Sequence, residues 1–305
     1  MSADGPVSPR QKTLEAQPLH AQDIGFIDGV PLVARGNWVH VEVADAANQR
    51  CMQLTVNADR EPIVHELRFA GGRYLVVVVG TGLMPTGVRV WDFETGGWSW
   101  QLMPDGDHDT VLYAVHPFEP VIVTAIAAAR VGVVDLRTGA VTRALDDGAW
   151  DLLELSPSRG WLASASPSHT PATLVIDKAP RPAVRRQVAS SVEALAWAGD
   201  ESALYCGEGD GIVKRSAETL EVMKRFDGLG PAARRIYISR TGETLAALTT
   251  EEDVHVCDLT TGARTIVKGA TAFAFSPDGQ KLFTAGDRGL NAFELPSRRS
   301  PSGPR

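Results

Sequence analysis

Residues 90–97 read VWDFETGG, an apolar strand that closes on Asp92 and turns through Thr95 and Gly96. The same punctuation recurs as VVDLRTGA at 133–140 and VCDLTTGA at 256–263, so Asp92, Asp135 and Asp258 hold one place in three copies. VIDKAP puts Asp177 in that place with the Thr-Gly replaced, and IVKRSAETLEV puts Ser216 there. Asp92, Asp135, Asp177 and Asp258 are 43, 42 and 81 residues apart in turn, the last interval being two periods with Ser216 between.

A second punctuation alternates with the first. FSPDGQKL (275–282), LSPSRGWL (155–162) and ISRTGETL (238–245) each place a turn between two apolar runs. Looser versions are WAGDESAL (197–204), VHPFEPVI (115–122), FAGGRYLV (69–76) and FIDGVPLV (26–33). Proline presets φ at a turn's first central position, and Asp or Gly supplies short side-chain bonds or positive φ, so these read as hairpins. The second type counts seven units. A period of about 40 residues with four strands per unit is the signature of a β-propeller blade. No stretch carries a capped 3.6-residue apolar period, which disfavours α/β alternatives.

The expected fold is therefore all-β: one seven-bladed β-propeller of four-stranded antiparallel blades over residues 10–296, with flexible ends at 1–9 and 297–305. The last unit, ATAFAFSPDGQKLFTAGDRGLNAFELP, is one strand short. An open ring would expose strand edges. Lys12 to Leu19 is expected to supply the missing strand and close the ring.

In Trp91-Asp92 with Thr95-Gly96, Asp135 with Thr138-Gly139, Asp258 with Thr261-Gly262, and Ser276-Pro277-Asp278-Gly279, the chain resembles the WD40-repeat family from about Asp23 to Leu295. It has one literal Trp-Asp and no Gly-His dipeptide, so the resemblance is to degenerate, WD40-like propellers, and the family's buried Asp-His-Ser/Thr-Trp network is not implied. The resemblance implies an interaction platform. It also implies that both kinds of turn lie on one face of the ring and the remaining loops on the other.

Composition narrows the classes. With 44% hydrophobic and 22% charged residues in 305, the chain is of ordinary globular make-up and long enough to bury its own core. A net charge of -7 disfavours a sequence-independent grip on nucleic acid or an anionic membrane and suits a basic or neutral partner. Cys51, Cys206 and Cys257 are odd in number and widely spaced, which argues against a disulfide framework or zinc knuckle and fits a reducing compartment. The N-terminus has no basic region followed by an apolar run, and the most apolar stretch, YLVVVVG at 74–80, is far short of the roughly 20 residues of a membrane span. The expected location is cytoplasmic.

The face opposite the turns holds the candidate site. Asp105, Asp107, Asp109, Asp146, Asp147, Glu208, Asp210, Glu251, Glu252 and Asp253 are expected to rim it. So acidic a rim would steer a basic peptide to the channel mouth, although plain solvated loops have the same composition. DGDHD at 105–109 has oxygen ligands for calcium but lacks the downstream bidentate Glu, and His108, His116 and His169 share no ligating spacing, so no metal is expected. GTGLMPTG and GEGDG match no phosphate-loop pattern, and no GxSxG elbow occurs, so neither a cofactor nor a catalytic residue is expected. Cys206 and Cys257 fall in apolar strands, as inert buried thiols do.

Two basic groups lie inside the ring: Arg181 with Arg185 and Arg186, and the pair Arg234-Arg235. Both read as solvated faces, with an acidic or phosphorylated ligand as the alternative. Trp98 and Trp100 are two apart on one strand and are expected on a shared face, packed on a neighbouring blade or forming an exposed aromatic edge for a partner.

Two function classes remain. The leading one is a non-enzymatic protein-protein interaction scaffold presenting propeller loops to a protein or peptide partner. The alternative is a propeller hydrolase or lactonase with a metal or acid cluster at the central channel.

Overall fold

Local hydrogen bonds form the expected turns. Asp258 Oδ1 accepts from the amides of Thr260 and Thr261 at 2.8 and 2.9 Å, and the Gly262 amide donates to the Asp258 carbonyl at 2.8 Å. Gly262 lies at φ 77°, a left-handed conformation that costs glycine nothing and other residues strain. In the divergent copy, Ser216 Oγ accepts from the amides of Glu218 and Thr219, and Leu220 takes the left-handed place at φ 57°. The other turn type is held by its serine: Lys281 donates its amide to Ser276 Oγ at 2.9 Å, and Gly279 donates to the Ser276 carbonyl at 2.8 Å.

The computed structural model describes residues 21–36, 40–45, 50–56, 63–81, 84–102, 112–116, 119–127, 130–146, 152–166, 171–178, 181–229, 233–286 and 289–295. Blade 1 is β1 (Ala21–Ile27), β2 (Val30–Gly36), β3 (His40–Asp45) and β4 (Arg50–Thr55). Blade 2 is β5 (Ile63–Ala70), β6 (Tyr74–Thr81), β7 (Met84–Asp92) and β8 (Gly97–Leu102). Blade 3 is β9 (Leu112–Val115), β10 (Val121–Ala127), β11 (Arg130–Asp135) and β12 (Ala140–Asp146). Blade 4 is β13 (Leu152–Leu155), β14 (Leu162–Ala165), β15 (Ala172–Lys178) and β16 (Arg181–Val188). Blade 5 is β17 (Val192–Trp197), β18 (Ala203–Glu208), β19 (Gly211–Ser216) and β20 (Val222–Asp227). Blade 6 is β21 (Ala233–Ile238), β22 (Thr244–Thr249), β23 (Asp253–Asp258) and β24 (Arg264–Lys268). Blade 7 is β25 (Ala272–Phe275), β26 (Lys281–Gly286) and β27 (Gly289–Glu294).

Each blade is an antiparallel meander in chain order, and the seven together are the expected β-propeller. Blade 7 shows three strands among the described residues. Lys12 to Leu19, expected as its fourth, lies outside the described residues, as do the ends at 1–9 and 297–305.

Alternating strand residues bury both faces of each blade, and the core is divided among the seams between blades. Seven buried clusters correspond to the seven seams, from Leu32, Val43, Leu67 and Val77 between blades 1 and 2 to Ile24, Val33, Ala272 and Ala285 between blades 7 and 1. That last cluster joins the two ends of the described chain into a ring. The first strand of each blade lines the central channel.

Candidate functional site

The channel walls carry charge where the seams carry hydrocarbon. Blade 1 offers Asp23, blade 2 Glu66 and Arg68, blade 4 Glu154, and blade 6 Arg235 and Tyr237. Arg68 donates from Nε to Glu66 Oε1 at 2.6 Å and from Nη1 to the Tyr237 hydroxyl at 3.4 Å, linking blade 2 to blade 6. Arg235 Nη1 donates to Asp23 Oδ1 at 2.8 Å, while the Phe69 amide donates to Asp23 Oδ2 at 2.9 Å. Asp23 therefore ties three blades together. Burial pushes its carboxyl up against the downward pull of Arg235 and Arg68. Burial pulls Arg68 down, but Glu66, Tyr237 and Asp23 outweigh it and raise the guanidinium above its usual range.

Glu154 is different. It keeps a partly accessible surface on a channel cavity of about 60 Å³, yet protein surrounds it, and its carboxyl makes no hydrogen bond or ion pair among the described residues. Burial pushes it up to about 8, with only Arg68 pulling the other way. At roughly 10–15 Å³ per water, the cavity holds a handful of waters, far below the roughly 300 Å³ at which small-molecule sites begin. The cavity bordered by Glu66, Arg68, Glu154, Arg235 and Tyr237 is thus water-sized rather than ligand-sized.

On the loop face, Asp210 is exposed in the β18–β19 turn, and Glu251 and Glu252 are exposed in the β22–β23 turn of the next blade. Asp253 is half-buried and its Oδ1 accepts the Gly269 amide at 3.4 Å. All four fall in turns between the second and third strands of blades 5 and 6 or at the start of the strand that follows. Asp105, Asp107 and Asp109 lie outside the described residues. Glu208 does not join the rim. Its side chain is 2% exposed, and Arg215 Nε and Nη2 donate to its two oxygens at 2.6 and 2.8 Å, making a buried bidentate pair of what the sequence offers as a loop acid.

The shared face expected for Trp98 and Trp100 also fails, for a reason of register. Val90 pairs with Trp100 and Trp91 with Trp98, so Ser99 is a bulge and the two indoles point to opposite faces. Trp98 meets Trp91 edge-on at 5.4 Å toward blade 1, under the Arg89 guanidinium at 4.6 Å. Trp100 packs toward blade 3, where a Cβ added to Gly139 would lie 2.4 Å from its Cδ1.

The remaining candidates resolve into structure. His116 is 1% exposed, accepts the Glu119 amide at Nδ1 and contacts the Pro157 carbonyl with Nε2 at 3.0 Å, so it caps its turn and joins blades 3 and 4. His108 and His169 lie outside the described residues. Cys206 and Cys257 are fully buried and burial raises both thiols, as the sequence suggests; nothing is described of the Cys51 side chain. Among the described residues, no three metal-ligating side chains converge, and no helix is long and apolar enough to cross a membrane. Arg235 departs from the solvated reading, being 15% exposed and paired, whereas Arg234 is exposed. Sequence reasoning missed the channel network; its one signal was polar residues alternating within HELRFA and RRIYI, both first strands of their units.

No protein-family model matches the chain, and no curated protein matches it. Among solved structures, a chain from "Crystal Structure of Mitotic Checkpoint Complex" superposes with a TM-score of 0.68 at 16% identity, covering 97% of each chain. The likeness is one of fold alone. A propeller is common property of many proteins, and function has to be argued from surfaces.

Proposed function

We propose that the protein is a non-enzymatic, WD40-like interaction scaffold of the cytoplasm that presents its loop face to a protein partner. The observation carrying this reading is the cross-linked wall of the channel. Asp23, Arg235, Arg68, Glu66 and Tyr237 spend hydrogen bonds on one another across the channel, and the cavity beside them is about 60 Å³, which favours recognition at the outer surface. The structural neighbour, a chain of a Mitotic Checkpoint Complex, belongs to a protein complex, which supports the class. Recurrent Asp-x-x-Thr-Gly turns at Asp92, Asp135 and Asp258 support the WD40-like character.

On this reading, Asp210, Glu251 and Glu252 form the described part of an acidic docking rim for a basic peptide, with Asp105, Asp107 and Asp109 completing it. Recovery of partners on tagged protein tests it, using Asp210→Asn with Glu251→Gln and Glu252→Gln beside the native chain. The expected outcome is loss of at least one partner and about tenfold weaker binding of a synthetic oligolysine peptide. Identical recovery from both proteins would reject the rim.

A further inference from the structure

The outermost strands of blades 1 to 6 form two unlike arcs. β16, β20 and β24, on three consecutive blades, carry seven cations and one acid, Asp227. β4, β8 and β12 carry two cations and one acid. The chain as a whole is at -7, so the basic arc runs against the protein's own balance. Three of the most exposed large apolar residues lie inside it: Val222 at 45%, Met223 at 56% and Ile266 at 51%.

The cations are largely unspent. The side chains of Arg181, Arg185, Arg225 and Lys268 have no ion-pair or hydrogen-bond partner among the described residues, and Arg186 reaches Glu221 only at 3.8 Å. Lys214 and Lys224 stand directly opposite each other on β19 and β20, with Lys224 over the Phe226 ring at 4.7 Å and Lys214 over Tyr205 at 5.6 Å. Like charges at that spacing repel, so the ladder keeps a pairing that an anion would relieve. Basic residues on edge strands do guard against stray pairing. That role does not account for this arc, because β8 forms the edge of blade 2 with no charged residue and the guard would be weakened by exposed Met223 and Ile266.

We propose that the outer rim of blades 4 to 6 is a second docking surface, and that its occupant is an acidic, extended protein segment with apolar residues interspersed. Charge complementarity selects the acidic occupant, the exposed Val222, Met223 and Ile266 select the apolar positions, and the outer edges of β16, β20 and β24, unpaired among the described residues, accept an extended strand. It rests on the scaffold reading only in taking a protein as ligand; the surface and the sign of the partner are different.

The test uses the full chain and a fluorescein-labelled synthetic peptide alternating glutamate with leucine, read by anisotropy. A second peptide carries serine for each leucine, and phosphatidylserine-containing vesicles form a third arm. The leucine peptide is expected to bind, and the triple variant R185E/R225E/K268E to weaken it by about tenfold or more, whereas R159E/R240E, outside the arc, leaves it unchanged. M223S/I266S, at exposed positions that leave the fold intact, is expected to weaken it several-fold. Equal binding of the serine peptide, equal loss with R159E/R240E, or binding of vesicles without the leucine peptide would each overturn the proposal. Oligolysine binding lost only with the loop-face variants, beside no binding of the acidic peptide, would sink this surface and leave the scaffold reading intact.

Discussion

The seam between blades 4 and 5 and the seam between blades 7 and 1 do the same architectural job with unequal means. The first buries thirteen hydrophobic residues, including Leu174, Ile176, Leu204 and Leu220, and carries the Glu208–Arg215 pair beside them. The second buries four, two of them alanine, and adds an edge-on contact of Phe26 with Phe283 at 5.3 Å and a hydrogen bond from Thr271 to Gln22. Apolar area sets most of the free energy of a seam, so the ring among the described residues is uneven, and local opening belongs at its closure.

The largest expected effect tests the strong seam. Glu208→Gln removes a charge and leaves the Arg215 guanidinium buried without its counterion, so the chain should lose about 3–5 kcal/mol in urea melts. A loss below about 1 kcal/mol would mean that the pair adds little to that seam.

Next in size is a gain, in the channel that all the seams share. Glu154 has a folded pKa of about 8 against an ordinary 4.5, so the folded state holds a proton that the unfolded chain releases. Stability is then full below about pH 4.5 and declines as pH rises toward 8, and Glu154→Gln should remove that decline and add roughly 1–3 kcal/mol at pH 8. Parallel pH–stability curves for the two proteins would refute it.

Smaller effects probe the closing seam. Ile24→Val should cost about 0.5–1.5 kcal/mol, and amides of β1 and β25 should exchange at least about tenfold faster than those of β17 and β18. Uniform protection around the ring would erase the contrast between the seams. His116 gives a last, modest test: burial lowers its pKa below 6.5, so the neutral imidazole stabilises the fold above that pH and the contribution fades as pH falls. His116→Asn should flatten the acid limb of the stability curve.

What the sequence disclosed follows from the range of the interactions involved. The Asp258 and Ser276 turns were legible because each is closed within six residues by its own side chain and a glycine of positive φ. Arg235 was not, because alternating charge on a strand reads as a wet face, and only the meeting of blades 6 and 1 encloses it with Asp23. Trp98 and Trp100 misled through one extra residue, since the bulge at Ser99 is a property of the strand pair and not of the strand. Glu208 looked like a loop acid in GEGDG until the turn folded back and brought Arg215 alongside.

The Asp23–Arg235 bond has a consequence in time. Its partners are 212 residues apart, so during synthesis at roughly 5–20 residues per second the carboxylate waits about 10–40 s for its guanidinium to emerge. Through that interval blade 1 presents an unpaired anion and an open face to the cell, and the slow, long-range closure is the step at which a nascent ring most needs shelter from aggregation.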